Sequence, residues 1–501
     1  MHYTITTNSV RAALVCAMLA TCMQAAAQTQ HTITLDEAIA LANDSSLTVL
    51  REQNNYLYSY WQYRTFKADR LPSVSMRLTP VTYNRFVTKR YDSEQDLDIY
   101  RQQQNYAADG GLHLSQNFDA LGGAFYMDTE LQYMRNLGDN PYTQFSSIPV
   151  RIGYSQSLLG FNAFKWDKKI EPQRFEKSRR QLVYAMQGVA EEVVQLFFAA
   201  ALAQANYELA QESKASADSL YVIGQRRFKI ASITKADLLI LQLDVLNSGN
   251  SLEYARINRK RAMSALAKYL NMESGADIKV VLPEMPAYRK VDLQEALQRA
   301  KANSPALLAK RIAILESQRE LKRTKVENSF NVQLNASVGF NQYAETFSGA
   351  FRRPLEQELV SVSLTIPLVD WGLRRGRLNK AKNNLDIATI DARQEEQSIE
   401  DDVTLALGNF DIQKSLVESS LQAYDIANIT SSQIRARFII GKANVNDVLL
   451  AHNRQQEAQT NYISALQLFW EYYYKIRKLT LYDFEHNLPL VDSYDFNLLT
   501  R

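Results

Sequence analysis

The chain has 501 residues, a formal net charge of +3, 46% hydrophobic residues and a mean hydropathy of −0.31. This is ordinary soluble-protein chemistry with ample length for a large core. The near-neutral balance excludes the basic footprint of a nucleic-acid binder.

Residues 1–27 read as a signal peptide. Arg11 supplies the positive region, Ala12 to Met23 a short apolar stretch, and Ala25-Ala26-Ala27 the small residues for cleavage before Gln28. Leu19-Ala20-Thr21-Cys22 also matches a lipid-attachment box, but Thr21 suits it poorly and the alanine run favours ordinary cleavage. Both cysteines, Cys16 and Cys22, fall in this segment, so the mature chain has no thiol or disulfide chemistry. Next come segments of period two near 73–82, 111–118, 124–135 and 148–158, with the turn Asp119-Ala120-Leu121-Gly122-Gly123 between two of them. The charged run from Arg85 to Arg101 reads as a solvated loop.

No proline stands between Pro172 and Pro283, or between Pro367 and Pro489. Because proline breaks helices, each tract admits two long ones: 164–230 with 234–271, and 373–440 with 445–480. Val189, Val193, Leu196, Ala200, Ala203, Tyr207, Ala210 and onward to Phe228 step by fours and threes, a coiled-coil seam. Leu182, Leu202, Leu209 and Leu220 lie off it and mark a second contact face, which fits either an array of helices or an ordinary buried core. Val193 to Ala205 is the most apolar stretch, and Gln195 and Gln204 interrupt it. No span-length apolar helix is expected, so a membrane location requires a β-barrel. Between the tracts, residues 332–340 and 360–368 alternate apolar side chains with Ser, Thr, Asn, Gln and Gly, as barrel strands do.

The chain repeats itself. Ile33-Thr34-Leu35-Asp36-Glu37-Ala38 recurs as Val291-Asp292-Leu293-Gln294-Glu295-Ala296, 258 residues on. Arg227-Phe228 recurs as Arg437-Phe438, Asp237-Leu238-Leu239 as Asp447-Val448-Leu449, and Leu158 with Phe161 as Leu368 with Trp371, all 210 residues on. The difference, 48 residues, is extra sequence in the strand region of the first half. The reading is two α-β-α halves, 28–283 and 291–483, joined by a proline-containing linker at 284–290 and followed by a tail at 484–501.

These features resemble the TolC family of outer-membrane efflux proteins over residues 33 to 483. The Leu-x-Glu-Ala opening of each half looks like the family's helix start. Phe438-Ile439-Ile440-Gly441 with Asn446-Asp447-Val448-Leu449 looks like its helix–turn–helix tip. The resemblance implies a mainly α fold with a membrane β-barrel portion, in which a homotrimer closes a β-barrel on a long α-helical barrel. It further implies a passive exit duct in the outer membrane lipid, docked to a periplasmic adaptor and an inner-membrane transporter. At the channel entrance it places Asp447, Asp237, Lys442 and Asn444, and at the adaptor contact Arg227, Phe228, Arg437, Phe438 and Gly441. Three copies of Asp447 would form a carboxylate ring; the same residue also suits a helix start, where negative charge is favourable. Departures from the family pattern are Leu450 and Ala443, where other members carry a second acidic ring and a basic latch. Ala231 replaces a tip glycine. The extra 48 residues exceed the usual four strands per chain and suit a longer hairpin, an extracellular loop or a plug.

No catalytic constellation is visible. His2, His31, His113, His452 and His486 are scattered without metal-ligand spacing, and no phosphate-binding glycine loop or Gly-x-Ser-x-Gly elbow occurs. An enzyme and a cofactor are therefore not expected. The other reading is an exported coiled-coil structural or adhesive protein with a soluble β-domain.

Overall fold

The computed structural model describes residues 31–94, 96–137, 141–272, 278–286 and 290–500. The expected signal peptide and Cys22 lie outside them, as does part of the linker. The chain divides into two compact units: residues up to Asn54 with Arg180–Ser304 and Ser398 onward, and Asn55–Arg179 with Pro305–Gln397.

In chain order the elements are β1 (His31–Ile33), α1 (Leu35–Ser45), α2 (Leu47–Ala68), β2 (Ser73–Asp92), β3 (Leu97–Phe118), β4 (Gly123–Asn136), β5 (Tyr142–Ser157), α3 (Ala163–Lys229) and α4 (Lys235–Tyr269). The second half runs β6 (Ile278–Val280), α5 (Leu293–Asn303), α6 (Pro305–Glu327), β7 (Asn331–Ala344), β8 (Leu355–Thr365), α7 (Leu373–Ile439) and α8 (Val445–Thr480). Residues Tyr482–Leu499 close the chain with two short strands, β9 (Tyr482–Asp483) and β10 (Leu488–Pro489), and small helical turns.

The first unit is helical. Its two halves open alike: Thr34 caps α1 in a reciprocal box with Glu37, and Asp292 caps α5 by accepting from the Glu295 N–H. α3 and α7 each have 67 residues, about 100 Å at ~1.5 Å per residue. Both faces anticipated for α3 are used: Val189, Val193, Ala200 and Ala217 are buried on one, Leu209 and Leu220 on the other, while buried Leu182, one heptad before Val189, falls on the first. One stretch of α3 is long and apolar enough by composition to cross a bilayer, which corrects the expectation that none exists. Val193, Val194, Phe197 and Phe198 in it are buried in protein, so its apolarity serves a core. β1 pairs in parallel with β6. Gln204, buried on α3, clamps that pair by accepting from the Val280 N–H (3.1 Å) and donating to its carbonyl (3.3 Å). The expected tail is folded here: Phe484, Leu490 and Phe496 are buried beside Leu481 and Tyr482 of the preceding repeat, and Arg477 pairs with Asp483 at 3.0 Å. Burial alone would raise the Asp483 carboxyl. Arg477 and the His486 N–H outweigh it and hold the group below its ordinary value.

The second unit carries one antiparallel six-stranded sheet in the order β2-β3-β4-β5-β7-β8. Val74, Leu114, Met127, Ile152 and Val338 form one continuous cross-strand row, and Leu334–Val362 and Ala336–Val360 carry the same face onto β8. Val74, Met127, Ile152, Val338, Val362 and Val360 on this face are exposed, Val360 by 76%, while Leu114, Leu334 and Ala336 are half-buried; opposite Val338 the row ends on Glu358 of β8. The opposite face has the row Ser75, His113, Asp128, Arg151, Gly339 and Gln357. An exposed apolar face backed by a polar one is the inverse of a soluble sheet and the pattern of a barrel wall in lipid.

The run from Arg85 to Arg101 is a paired extension of β2 and β3, with Asp92 opposite Leu97 at its end, not a loop. Lys89 pairs with Asp98 across it at 2.6 Å, and Gln104 donates to the Tyr83 hydroxyl at 2.6 Å. Strands of 20 and 22 residues exceed the ~10 that cross a bilayer, so charge is tolerated in the part beyond.

Candidate functional site

The helical hairpins α3–α4 and α7–α8 end in tips built by the same local rules. At the first, the Ser232 N–H reaches the Arg227 carbonyl and the Ala231 N–H the Phe228 carbonyl, both at 2.9 Å. At the second, Lys442 bonds to Arg437 (2.8 Å) and Gly441 to Phe438 (3.0 Å). This double closure satisfies the last carbonyls of a helix and requires a left-handed residue, here Ala231 (φ 55) and Gly441 (φ 83). The returning helices start on reciprocal boxes. The Asp237 carboxylate accepts from the Thr234 N–H at 3.0 Å, and that of Asp447 accepts from the Asn444 N–H at 3.0 Å. In return, the Thr234 hydroxyl and the Asn444 amide oxygen accept from the N–H of Asp237 (3.1 Å) and Asp447 (2.8 Å). Bonds from Thr234, with Arg227 nearby, hold the Asp237 carboxyl below its ordinary value. Both tip aspartates therefore cap helices.

Leu220, Leu241, Phe438 and Val445 form a buried cluster with Ile233, Ala443 and Val448 against it. Gly224 lies against Leu241, where a Cβ would meet the leucine methyl. Arg227 joins the two hairpins: it donates to the Phe438 carbonyl at 3.1 Å and its guanidinium lies 5.3 Å from the Phe438 ring centre. Its repeat counterpart Arg437 reaches only the Lys442 carbonyl, at 3.4 Å. Phe438 is buried, whereas Phe228 is 41% exposed.

Two recesses flank the hairpins. A groove of about 930 Å³ on the α7–α8 pair has an apolar wall including Ile434 and Leu450 and a charged rim of Arg437, Lys442, Asp447 and Arg454. It brings three of the expected entrance and contact residues together; Asp237 and Phe228 are not among its lining. A polar cavity of about 300 Å³ is lined from all four helices by Asn206, Ser213, Asp244, Ser251, Arg435 and His452 among others. Ser213 Oγ lies 3.2 Å from His452 Nε2, and Arg435 pairs with Glu212 at 3.0 Å. Burial lowers the His452 imidazole, Asp244 and Glu212 pulling it up and Arg435 down. Burial likewise raises the Asp244 carboxyl, with His452 opposing. This cavity was not anticipated from sequence: its polar α3 members Asn206 and Ser213 lie off the heptad seam.

On the polar face of the sheet, Arg151 holds Asp128 through Nε (3.2 Å) and Nη2 (2.8 Å), and His113 Nδ1 hydrogen-bonds the other carboxylate oxygen. His113 thus serves an ion-paired cluster. No group of three or more His, Cys, Asp or Glu able to hold a metal occurs among the described residues.

Long paired helical hairpins and a sheet exposed on its apolar face are the arrangement of an envelope protein with a membrane-facing wall. The model of the outer membrane efflux protein family matches residues 116–272 and 296–479, more than half of the sequence. The chain belongs to that family and is an outer-membrane protein of efflux type. A search of curated proteins finds no match. Among solved structures, the fold is similar to the CmeC outer membrane channel of Campylobacter jejuni (14% identity, TM-score 0.63, 93% of this chain and 88% of that one). It is also similar to a membrane protein from Pseudomonas aeruginosa (17%, 0.62, 89% and 90%) and to the outer membrane protein VceC of Vibrio cholerae (13%, 0.61, 89% and 95%). The family and these neighbours are channel or membrane proteins, not enzymes.

Proposed function

We propose that three copies of this chain close the sheet into a transmembrane barrel and the long hairpins into a periplasmic tube, which serves as the passive exit duct of an efflux or secretion system. The single observation that supports this most is the six-stranded sheet, apolar and exposed on one face, polar on the other, and unpaired at β2 and β8. Open edges are not tolerated in lipid, so copies must supply the missing partners. Residues 1–27 direct export, 28–283 and 291–483 are the two repeats, and 284–290 links them.

The hairpin tips form the periplasmic entrance. Asp447, with Lys442 and Asn444 beside it, faces the opening, and Asp237 supports the neighbouring turn. Arg227, Phe228, Arg437, Phe438 and Gly441 shape the end that meets a periplasmic adaptor, itself bound to an inner-membrane transporter. Three Asp447 carboxylates around one opening attract cations.

Single-channel recording of the detergent-purified protein in planar bilayers tests this. Asp447→Asn keeps an oxygen for the α8 cap and removes the charge. Discrete openings are expected, with cation preference reduced in the variant. Openings with unchanged selectivity would restrict Asp447 to capping. Absence of conductance, with recovery in the soluble fraction, would overturn the channel reading.

A further inference from the structure

The structure accounts for the 48 extra residues. The 258-residue spacing maps the start of β2 (Ser73) onto the start of β7 (Asn331), and the 210-residue spacing carries β5 onto β8. The elements left over are β3 and β4. They are neither plug nor loop, because β3 bonds to β2 and β4 to β5 along their lengths. A chain made of two copies of its second half would give four strands; this one gives six.

We infer that the inserted hairpin is part of the membrane wall, so that three copies close an eighteen-stranded barrel, and that the joint between copies repeats the β5–β7 joint within one chain. The inference rests on the trimeric reading above. Within the chain, β5 of the first half meets β7 of the second. Between copies, β8 is the counterpart of β5, and β2 of the next copy is the counterpart of β7. Shifting the β5–β7 register by the two repeat spacings pairs Leu364 with Leu78, Thr365 with Arg77 and Ser363 with Thr79.

Three observations agree with this copied register. It keeps faces matched: Leu364 and Leu78 lie on the apolar face, and Ser363, Thr365, Arg77 and Thr79 on the polar one. A slip by one residue would reverse this. The β5–β7 ladder is also irregular between Ser147 and Arg151, opposite Gly339 to Gln342. Carried to β2, that irregularity falls near residues 81–84, beside the shift between Thr79 and Thr82 that β2 shows against β3. Pro80, which lacks an N–H, stands at the same place. Beyond it, the copied register sets Glu356 opposite Arg85, opposite charges directly across a joint.

With strands about 4.8 Å apart and tilted about 40°, eighteen strands enclose a backbone cylinder roughly 36 Å across, against roughly 24 Å for twelve. The outlet is therefore wider than the repeat unit alone would build.

The mature chain has no cysteine, so paired cysteines give a clean test. The Leu158 N–H donates to the Val332 carbonyl at 2.8 Å, which makes the Gly153–Ser337 and Ser155–Asn335 positions non-hydrogen-bonded pairs with close Cβ atoms. Their copies are Thr79 with Ser363 and Arg77 with Thr365. The full-length protein carrying Thr79→Cys and Ser363→Cys is oxidised in outer-membrane fractions and run on a denaturing gel. Most of the chain is expected to shift to a covalent trimer that reduction returns to monomer, and Arg77→Cys with Thr365→Cys to do the same. β2 and β8 lie at opposite edges of the sheet, so a link within one chain does not form. Linkage instead through Glu130→Cys with Ser363→Cys would place β4 at the joint, with β2–β3 outside the wall. That result, with conductance intact, overturns the inference and leaves the duct reading standing. Absence of both trimer and conductance in the unmodified protein overturns both. Electron cryo-microscopy of the unmodified trimer gives an independent count: eighteen strands supports the inference and twelve refutes it.

Discussion

The two helix tips share their closing bonds and capping boxes but not their surroundings. At the second tip Phe438 is buried beneath Arg227; at the first, its counterpart Phe228 is 41% exposed and Arg437 bonds only within its own hairpin. Local sequence therefore sets the turn, and the neighbouring hairpin sets what the turn is worth. Within one chain the first hairpin has the second as a neighbour, and the second has nothing equivalent on its far side. The same incompleteness appears at the two sheet edges.

The largest effect that sharpens this contrast is removal of the two phenylalanines. Phe438→Ala is expected to destabilise by about 3–5 kcal/mol, as loss of a buried aromatic does. Phe228→Ala is expected to cost about 1 kcal/mol in the dissociated chain. Denaturant unfolding reads both, and equal losses would break the contrast. If the tip joint also repeats between copies, Phe228→Ala weakens the trimer more than the isolated chain.

A smaller effect separates the turns themselves. Gly441→Ala is expected to destabilise by about 1 kcal/mol, because an L side chain in the left-handed region is strained. Ala231→Gly removes the same strain and is expected to stabilise by up to about 1 kcal/mol. Thermal unfolding of the two variants should move in opposite directions. Movement in the same direction would mean that the turns are not equivalent.

The smallest effect lies behind the tips. His452 in the second half stands where the first half has Gln242, and Asp244 stands where the second has Arg454. The His452 imidazole titrates lower in the folded chain than its ordinary 6.5, so the unfolded chain binds protons first and stability falls as pH drops below about 6.5. His452→Gln is expected to remove that loss. The Asp244 carboxyl titrates higher than its ordinary 3.8, so it subtracts stability at neutral pH and returns it on acidification. Asp244→Asn is expected to stabilise at pH 7 and to leave no difference near pH 3. Urea midpoints across pH 3–8 test both signs.

Much of the scaffold was readable from residues alone, for identifiable reasons. Heptad spacing with the proline-free tracts places the long helices within two residues of their observed ends, because such helices repeat one signal many times, although α3 carries Pro172 inside it and so starts before its tract. The helix-start role of Asp447 was equally visible, being local, but its capping partner Asn444 was read only as an entrance residue. The distal parts of β2 and β3 were not: Arg101-Gln102-Gln103-Gln104-Asn105 has no alternation, and its order comes from the partner strand. The three-residue pair β1–β6 is too short to leave a pattern and depends on Gln204 far along the chain. Which of two equivalent phenylalanines is buried is likewise a property of tertiary contact, invisible in a repeat that writes both alike.

The inserted β3–β4 pair also constrains how such a wall can change over time. A single added strand would leave β5 running the wrong way and deliver α3 to the opposite side of the bilayer. A hairpin preserves direction, so the chain still emerges on the side from which it entered. Growth of this sheet is therefore quantised in twos per subunit, and a barrel closed by three copies would lengthen its circumference only in steps of six strands.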